Sequence, residues 1–221
     1  MPCIVVMGCY RSGTSAVAGI LHNLGVHMGN NFQEPNEQNP KGYFEDPEFV
    51  AVNLEIYKAS IVKYADEFSK NSELFEAKKK FNYLCESRAI AMASEDSCGR
   101  PTKWGFKDPK FCLTAKHVEL PSETKIIWIH RNVTHTALSI IKAIGDLSGS
   151  DAHLDKWEKF VDHYRNETEK YLNNMSLDSM DINFDTLMKY PRAGVNRIAT
   201  FIEHADGHQQ AFDYMHPYEE F

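Results

Sequence analysis

The sequence lacks any apolar run long enough to cross a bilayer, any Cys-x-x-Cys pair, any long Lys/Arg run and any internal repeat or low-complexity tract. Each absence removes a class of protein. A membrane helix needs about 20 consecutive apolar residues. The five cysteines, Cys3, Cys9, Cys85, Cys98 and Cys112, are odd in number and unpaired in spacing, so they indicate neither a disulfide framework nor a zinc site. A formal charge of −7 without a basic run argues against a nucleic-acid partner or an anionic membrane surface, while leaving room for a small basic pocket. The N-terminal apolar run is short and has neither a preceding basic segment nor a small-residue cleavage site, so no signal peptide is read and a reducing, cytoplasmic setting is expected.

What is present is enough apolar material, 43% of 221 residues, for one substantial core, and residues 1–221 are read as one domain. The most informative stretch is Ile4 to Ser15, an apolar strand entering a loop bracketed by Gly8 and Gly13 and then an apolar-periodic helix. That glycine spacing is the one by which nucleotide-binding loops turn successive backbone N–H groups onto an anion at a helix N-terminus. Where an NTPase loop carries the lysine that reaches the β- and γ-phosphates, this chain has Thr14, and the loop's fixed charge is Arg11. The loop reads as a phosphate cradle that is not built for Mg-ATP.

Periodicity organises the rest. A helix through Ala16, Val17, Ile20 and Leu21 ends at Gly25, and a long Gly-, Asn- and Pro-rich connection runs from Val26 to Asp46, a length often functional. Asp46-Pro47 opens a helix through Tyr57, and another is expected over Glu73 to Ala93. A short strand from Thr102 to Phe106 ends at Lys107-Asp108-Pro109, because Pro109 cannot donate to a ladder. Lys125 to His130 is a strand apolar through its middle, with Trp128 read as core, and Asn132 or Thr134 caps a helix that Gly145 ends. A helix from about Asp155 to Leu172, a strand over Met180 to Phe184 and a last helix from Pro191 through Ile202 follow; the tail His204 to Phe221 has no assignment.

Strands alternating with helices imply a parallel sheet covered on both faces, an α/β/α sandwich of three layers whose ligands bind beyond the carboxyl ends of the strands. The glycine loop, the Lys107-Asp108 corner and the His130-Arg131 corner would share that edge. A kinase places a metal-binding carboxylate at such a strand end; here the residues are His130 and Arg131, which suit a metal-free site binding an extra anionic group by direct contact. Ser139 can share that anion, giving two separate phosphate sites, and no metal is expected.

Arg11-Ser12-Gly13-Thr14-Ser15 after the first strand, with Arg131 and Ser139 eight residues apart after a later one, resembles the sulfotransferases that use 3′-phosphoadenosine 5′-phosphosulfate (PAPS). Gly42-Tyr43-Phe44-Glu45-Asp46, Lys107-Asp108-Pro109 and the stretch from Ile182 to Pro191 are similar to segments of the bacterial and Golgi-type branch, in the same order. The resemblance spans roughly Ile4 to Glu203 and implies a P-loop NTPase-like sulfotransferase fold and metal-independent transfer. The loop backbone, Ser12 included, with Arg11, Gly13, Thr14 and Ser15 is then expected to hold the 5′-phosphosulfate, with Tyr10 either contacting the cofactor or packing beneath the loop, and Arg131 with Ser139 the 3′-phosphate of PAPS or of its product PAP. The acceptor is expected to be a small molecule or glycan bearing a hydroxyl or amine.

The resemblance also directs the choice of base. Glu45 is favoured because related enzymes often use a carboxylate, although it reads almost equally well as a helix N-terminal acid. Asp108 is the rival and reads equally as a turn former. His130 neighbours Arg131, so strand alternation turns it to the opposite face, and His27 is a weaker candidate. Lys107 is expected to neutralise the transferring group or the leaving phosphate. Two other readings remain open: a P-loop small-molecule kinase with an unusual loop, and a catalytically idle binding protein on the same fold.

Overall fold

All five residues of β1 (Cys3–Met7) are buried, and alternation divides them, Cys3, Val5 and Met7 entering one core and Ile4 and Val6 the other. A strand apolar on both faces needs cover on both sides, which places it in the middle of a sheet. The computed structural model describes residues 2–61, 67–96, 103–145, 151–204 and 208–215. In it β1 lies between β2 (Trp104–Lys107) and β3 (Lys125–His130), with β4 (Asp178–Asn183) outside β3; the order β2-β1-β3-β4 is parallel throughout. Val6 stands opposite both Lys107 and Ile127, so β1, β2 and β3 deliver their following loops to one edge.

The helices are α1 (Thr14–Asn23), α2 (Pro47–Ile61), α3 (Glu67–Asp96), α4 (Phe111–Thr114) running into a 3-10 turn, α5 (Val133–Ile144), α6 (Asp151–Asn174), α7 (Phe184–Lys189), α8 (Pro191–Phe201) and α9 (Gln209–Met215). Helices α2 to α6 cover one face with Phe49, Phe81, Phe111, Ala137 and Val161. Helices α1, α7, α8 and α9 cover the other with Val17, Leu187, Val195, Ile198 and Met215. Under α2 and α3 the rings of Phe49 and Phe106 stack at 4.4 Å and 3°, with Phe81 edge-on to both. Burying each such side chain contributes about 1.5–3 kcal/mol. The three-layer arrangement is the one expected from the alternation of elements.

Caps fix where the site-bearing helices begin. Asp46 Oδ1 accepts from the Glu48 N–H (2.9 Å) and its Oδ2 takes Arg88 of α3 (2.6 Å), which locks the end of the long connection beside Glu45. Asn132 caps α5 by accepting from the His135 N–H, and Gly145 closes it at φ +70°.

Some details differ from the sequence expectations. Helices α3 and α6 extend past the spans read for them, and α4, α7 and α9 were not foreseen, being too short to show a period. The tail is therefore partly helical. Trp128 is half-buried rather than core, its ring 5.0 Å from that of His130, because β3 turns that face outward near its end. No helix among the described residues is long and apolar enough to cross a membrane.

Candidate active site

The cradle is built by a tight reversal after β1. The Ser12 N–H and Oγ both donate to the Cys9 carbonyl, at 3.2 and 2.6 Å. Arg11 follows at φ +63° and Gly13 at φ +98°, a left-handed pairing that turns loop N–H groups to one side. Gly13 is required twice over: a Cβ there would also stand 2.1 Å from Phe184 Cδ2. Because Gly13 starts α1 with no side-chain cap, the first-turn N–H groups are left to a ligand.

A cleft of about 220 Å³ opens over this loop. Tyr10, Arg11, Gly13, Thr14 and Ser15 form its floor, while Gln38, Asn39, Tyr43 and Glu45 enter from the long connection. Lys107 reaches in from β2, and Arg131, Ser139 and Phe184 close the far side. The lining cations are Arg11, Lys107 and Arg131 against the single carboxylate Glu45, a local excess of positive charge on a chain of net −7. Such a lining fits a polyanion. Among the described residues no three His, Cys, Asp or Glu side chains are grouped to hold a metal ion.

Two contacts organise the cleft. Arg11 Nε donates to Ser139 Oγ (3.2 Å) and Nη1 to the Gln38 carbonyl (2.9 Å), so the glycine loop and α5 touch. The glycine loop and the Arg131/Ser139 corner, read from the sequence as two separate places, line one cleft. Lys107, 1% exposed, meets Glu45 Oε1 at 2.6 Å and Ser15 Oγ at 3.3 Å. Burial pushes the Lys107 ammonium below the usual lysine range, and Glu45 opposes that shift. At the far side Arg131 Nε pairs with Asp185 Oδ1 (3.2 Å) and lies over the Phe184 ring at 5.0 Å. Tyr10 packs against Phe160 and Tyr164, and its hydroxyl accepts from Lys110 Nζ (3.3 Å). Burial raises its pKa.

Four other residues named from the sequence lie outside the cleft lining. Asp108 is fully buried and outside the cleft lining: Oδ2 accepts from Asn53 Nδ2 (2.8 Å), and Oδ1 from the Lys110 N–H (3.0 Å) and Nζ (2.9 Å). It is a turn former that braces α2, with both oxygens taken. Ser12 is buried and spends its N–H and hydroxyl inside the loop, so it shapes the cradle without lining it. His27 pairs its backbone with Lys103 and Gly105 at the start of β2, the end of that strand away from Lys107. His130 faces Asp181 at 3.6 Å and is outside the cleft lining, as alternation required. Sequence reasoning missed Gln38, Asn39 and Phe184. Phe184 left a residue-level signal, a ring at the end of a strand on the ligand edge, while Gln38 and Asn39 were marked only by the length of the connection that carries them.

Residues 2–206 match the profile of the sulfotransferase family. The fold is a three-layer α/β sandwich, and the chain belongs to this family. Among solved structures it is similar to the sulfotransferase domain from the curacin biosynthetic pathway (TM-score 0.57, 12% identity, 97% of this chain and 78% of that one). It is also similar to the sulfotransferase domain of the Synechococcus PCC 7002 olefin synthase (0.56, 12%, 94% and 75%) and to sulfotransferase STF9 from Mycobacterium avium (0.50, 12%, 97% and 67%). No sequence among curated proteins matches it significantly. The structural likeness carries the fold alone.

Proposed function

We propose that this protein transfers a sulfuryl group from PAPS to a hydroxyl or amine of a small-molecule or glycan acceptor, without a metal ion. The observation that carries this reading is the Arg11–Ser139 hydrogen bond, which joins the glycine loop and the Arg131/Ser139 corner in one basic cleft that Lys107 and Glu45 also line. A ligand with phosphates at two ends suits such a cleft better than a nucleoside triphosphate with its magnesium.

The residues then divide the work. Loop N–H groups, Arg11, Thr14 and Ser15 hold the 5′ end; Arg131 and Ser139 hold the 3′-phosphate. PAPS supplies the sulfuryl group, and PAP leaves with the electron pair of the broken S–O bond. Glu45 takes the proton of the attacking hydroxyl or amine. Once protonated it no longer holds the Lys107 ammonium as an ion pair, and that charge turns to the oxygens of the transferring and leaving groups. A base contributes about 10²–10⁴ in rate, and donors aimed at developing charge about 10²–10³ each.

PAP at 100-fold over its dissociation constant should raise stability by about 2.7 kcal/mol, read as a higher melting temperature in EDTA. Radiolabelled PAPS offered with a library of hydroxyl- and amine-bearing acceptors should then give labelled product. Failure of PAP to shift the melt, with a shift by ATP that needs magnesium, would establish the kinase reading instead.

A further inference from the structure

Ser15 Oγ accepts from two side chains at once, Lys107 Nζ at 3.3 Å and Asn39 Nδ2 at 3.0 Å. A serine hydroxyl has two lone pairs and one proton. An ammonium can only donate, and so can the NH₂ end of an amide, so with both lone pairs filled the proton must point along the remaining direction. Ser15 lines the cleft at the first turn of α1, and among the described residues no acceptor takes that proton. The hydroxyl is thereby made a donor to whatever anion lies in the cradle.

Asn39 is held for this task by its own segment. Its N–H donates to Asn36 O and Oδ1 at 3.0 Å, and its carbonyl accepts from the Asn36 N–H (3.2 Å) and the Gly42 N–H (3.1 Å), which closes the turn. Flanking contacts pin that turn across the cleft. Gln38 reaches the Ala143 carbonyl at the end of α5 (2.7 Å), and Lys41 donates to the Tyr214 carbonyl of α9. The amide is therefore lowered onto Ser15 from a segment fixed at both sides.

We propose that Asn39 is a positioning residue that fixes the Ser15 hydroxyl as a hydrogen-bond donor to the cofactor's 5′ oxyanion. This rests on the PAPS reading of the cleft. Asn39 acts through Ser15, so its effect on binding should vanish when the hydroxyl is gone.

The experiment is a double-mutant cycle in the full chain, with PAP affinity read by calorimetry for wild type, Asn39→Ala, Ser15→Ala and the pair. Melting without ligand checks that each variant is folded. Hydrogen bonds to charged groups set the scale, so Ser15→Ala should weaken PAP by about 10-fold or more, and Asn39→Ala by roughly 3–10-fold because its contribution is indirect. The double variant should bind no more weakly than Ser15→Ala. Asn39→Asp, of nearly the same shape, should bind more weakly than Asn39→Ala, because its carboxylate accepts the Ser15 proton and repels the anion. Unchanged affinity in Asn39→Ala, or Asn39 and Ser15 effects that simply add, overturns the proposal while leaving the PAPS reading intact. Failure of wild type to bind PAP overturns both.

Discussion

Lys107→Met separates a residue kept for binding from one kept for folding. The ammonium is 1% exposed and lies 2.6 Å from a Glu45 side chain that is 22% exposed. At that separation and an effective dielectric of about 20 the pair attracts by about 6 kcal/mol. Against this stands a desolvation penalty of several kcal/mol for the ammonium. The two nearly cancel, and Met fills much the same volume. Glu45, left without its partner, still reaches water, so the usual cost of orphaning a buried charge is reduced. Lys107→Met should therefore melt within about 5 °C of wild type, a change of up to about 2 kcal/mol in a chain of this size. PAP affinity should fall by about 10- to 100-fold with the loss of a charge-assisted contact. Paired thermal melts and calorimetry decide it. A variant that melts much lower yet binds PAP as tightly as wild type would make Lys107 a structural ion-pair member and refute the reasoning.

Gly13→Ala should cost about 2–5 kcal/mol, summing about 1–2 for a left-handed non-glycine residue and about 1–3 for overpacking against Phe184. A second change, Phe184→Ala, should restore the packing part in thermal melts. Tyr214→Ala should lower stability by about 2–3 kcal/mol, because the Tyr214 ring fills the space a Cβ at Gly19 would enter and its hydroxyl bonds the Ser15 carbonyl; denaturant titration reads it. Glu167 is held down to about 2 by hydrogen bonds from Lys116 (2.5 Å) and Lys170 (3.0 Å). That depressed value stabilises the fold above about pH 5 and is lost as pH falls toward 2. Since both lysines are mostly exposed, Glu167→Gln should cost about 1 kcal/mol at pH 7, and the gap from wild type should close in an acid titration.

The fold and the cradle were legible in the sequence to the extent that their causes are local. β1, the glycine loop and α1 declare themselves because an apolar strand, a steric need for glycine and a helical period each leave a pattern within a few residues. The same holds for the caps at Asp46 and Asn132. Helix α9 left none, since Ala211 and Met215 make a short apolar face whose partner is a groove beside Gly19, far away in the chain. The Asn39–Ser15 contact is equally silent. Asp108 reads equally as a base and as a turn former, and its oxygens are taken by the turn and by Asn53, whereas alternation already turns His130 away from Arg131. Lys107 faces the cleft, and Asp108, just past the end of β2, turns to Asn53 of α2.

The three cations of the cleft differ in what they give up when an anion arrives. Lys107 and Arg131 already hold carboxylates, Glu45 and Asp185, so each new contact exchanges one charge-assisted bond for another. Arg11 instead holds two neutral oxygens, Ser139 Oγ and the Gln38 carbonyl. Trading these for phosphate oxygens replaces neutral acceptors by charged ones, which bind roughly twice as strongly. Arg11 is also held at φ +63° in the reversal that Ser12 closes, a conformation that costs of order 1–3 kcal/mol. On the proposed reading, Arg11 would therefore gain more from an anion than Lys107 or Arg131. Its contact with the Gln38 carbonyl places it directly beneath the turn that carries Asn39. On the same reading, an anion that drew Arg11 from the Gln38 carbonyl would loosen the long connection over it, the segment whose Tyr43 and Glu45 line the same cleft.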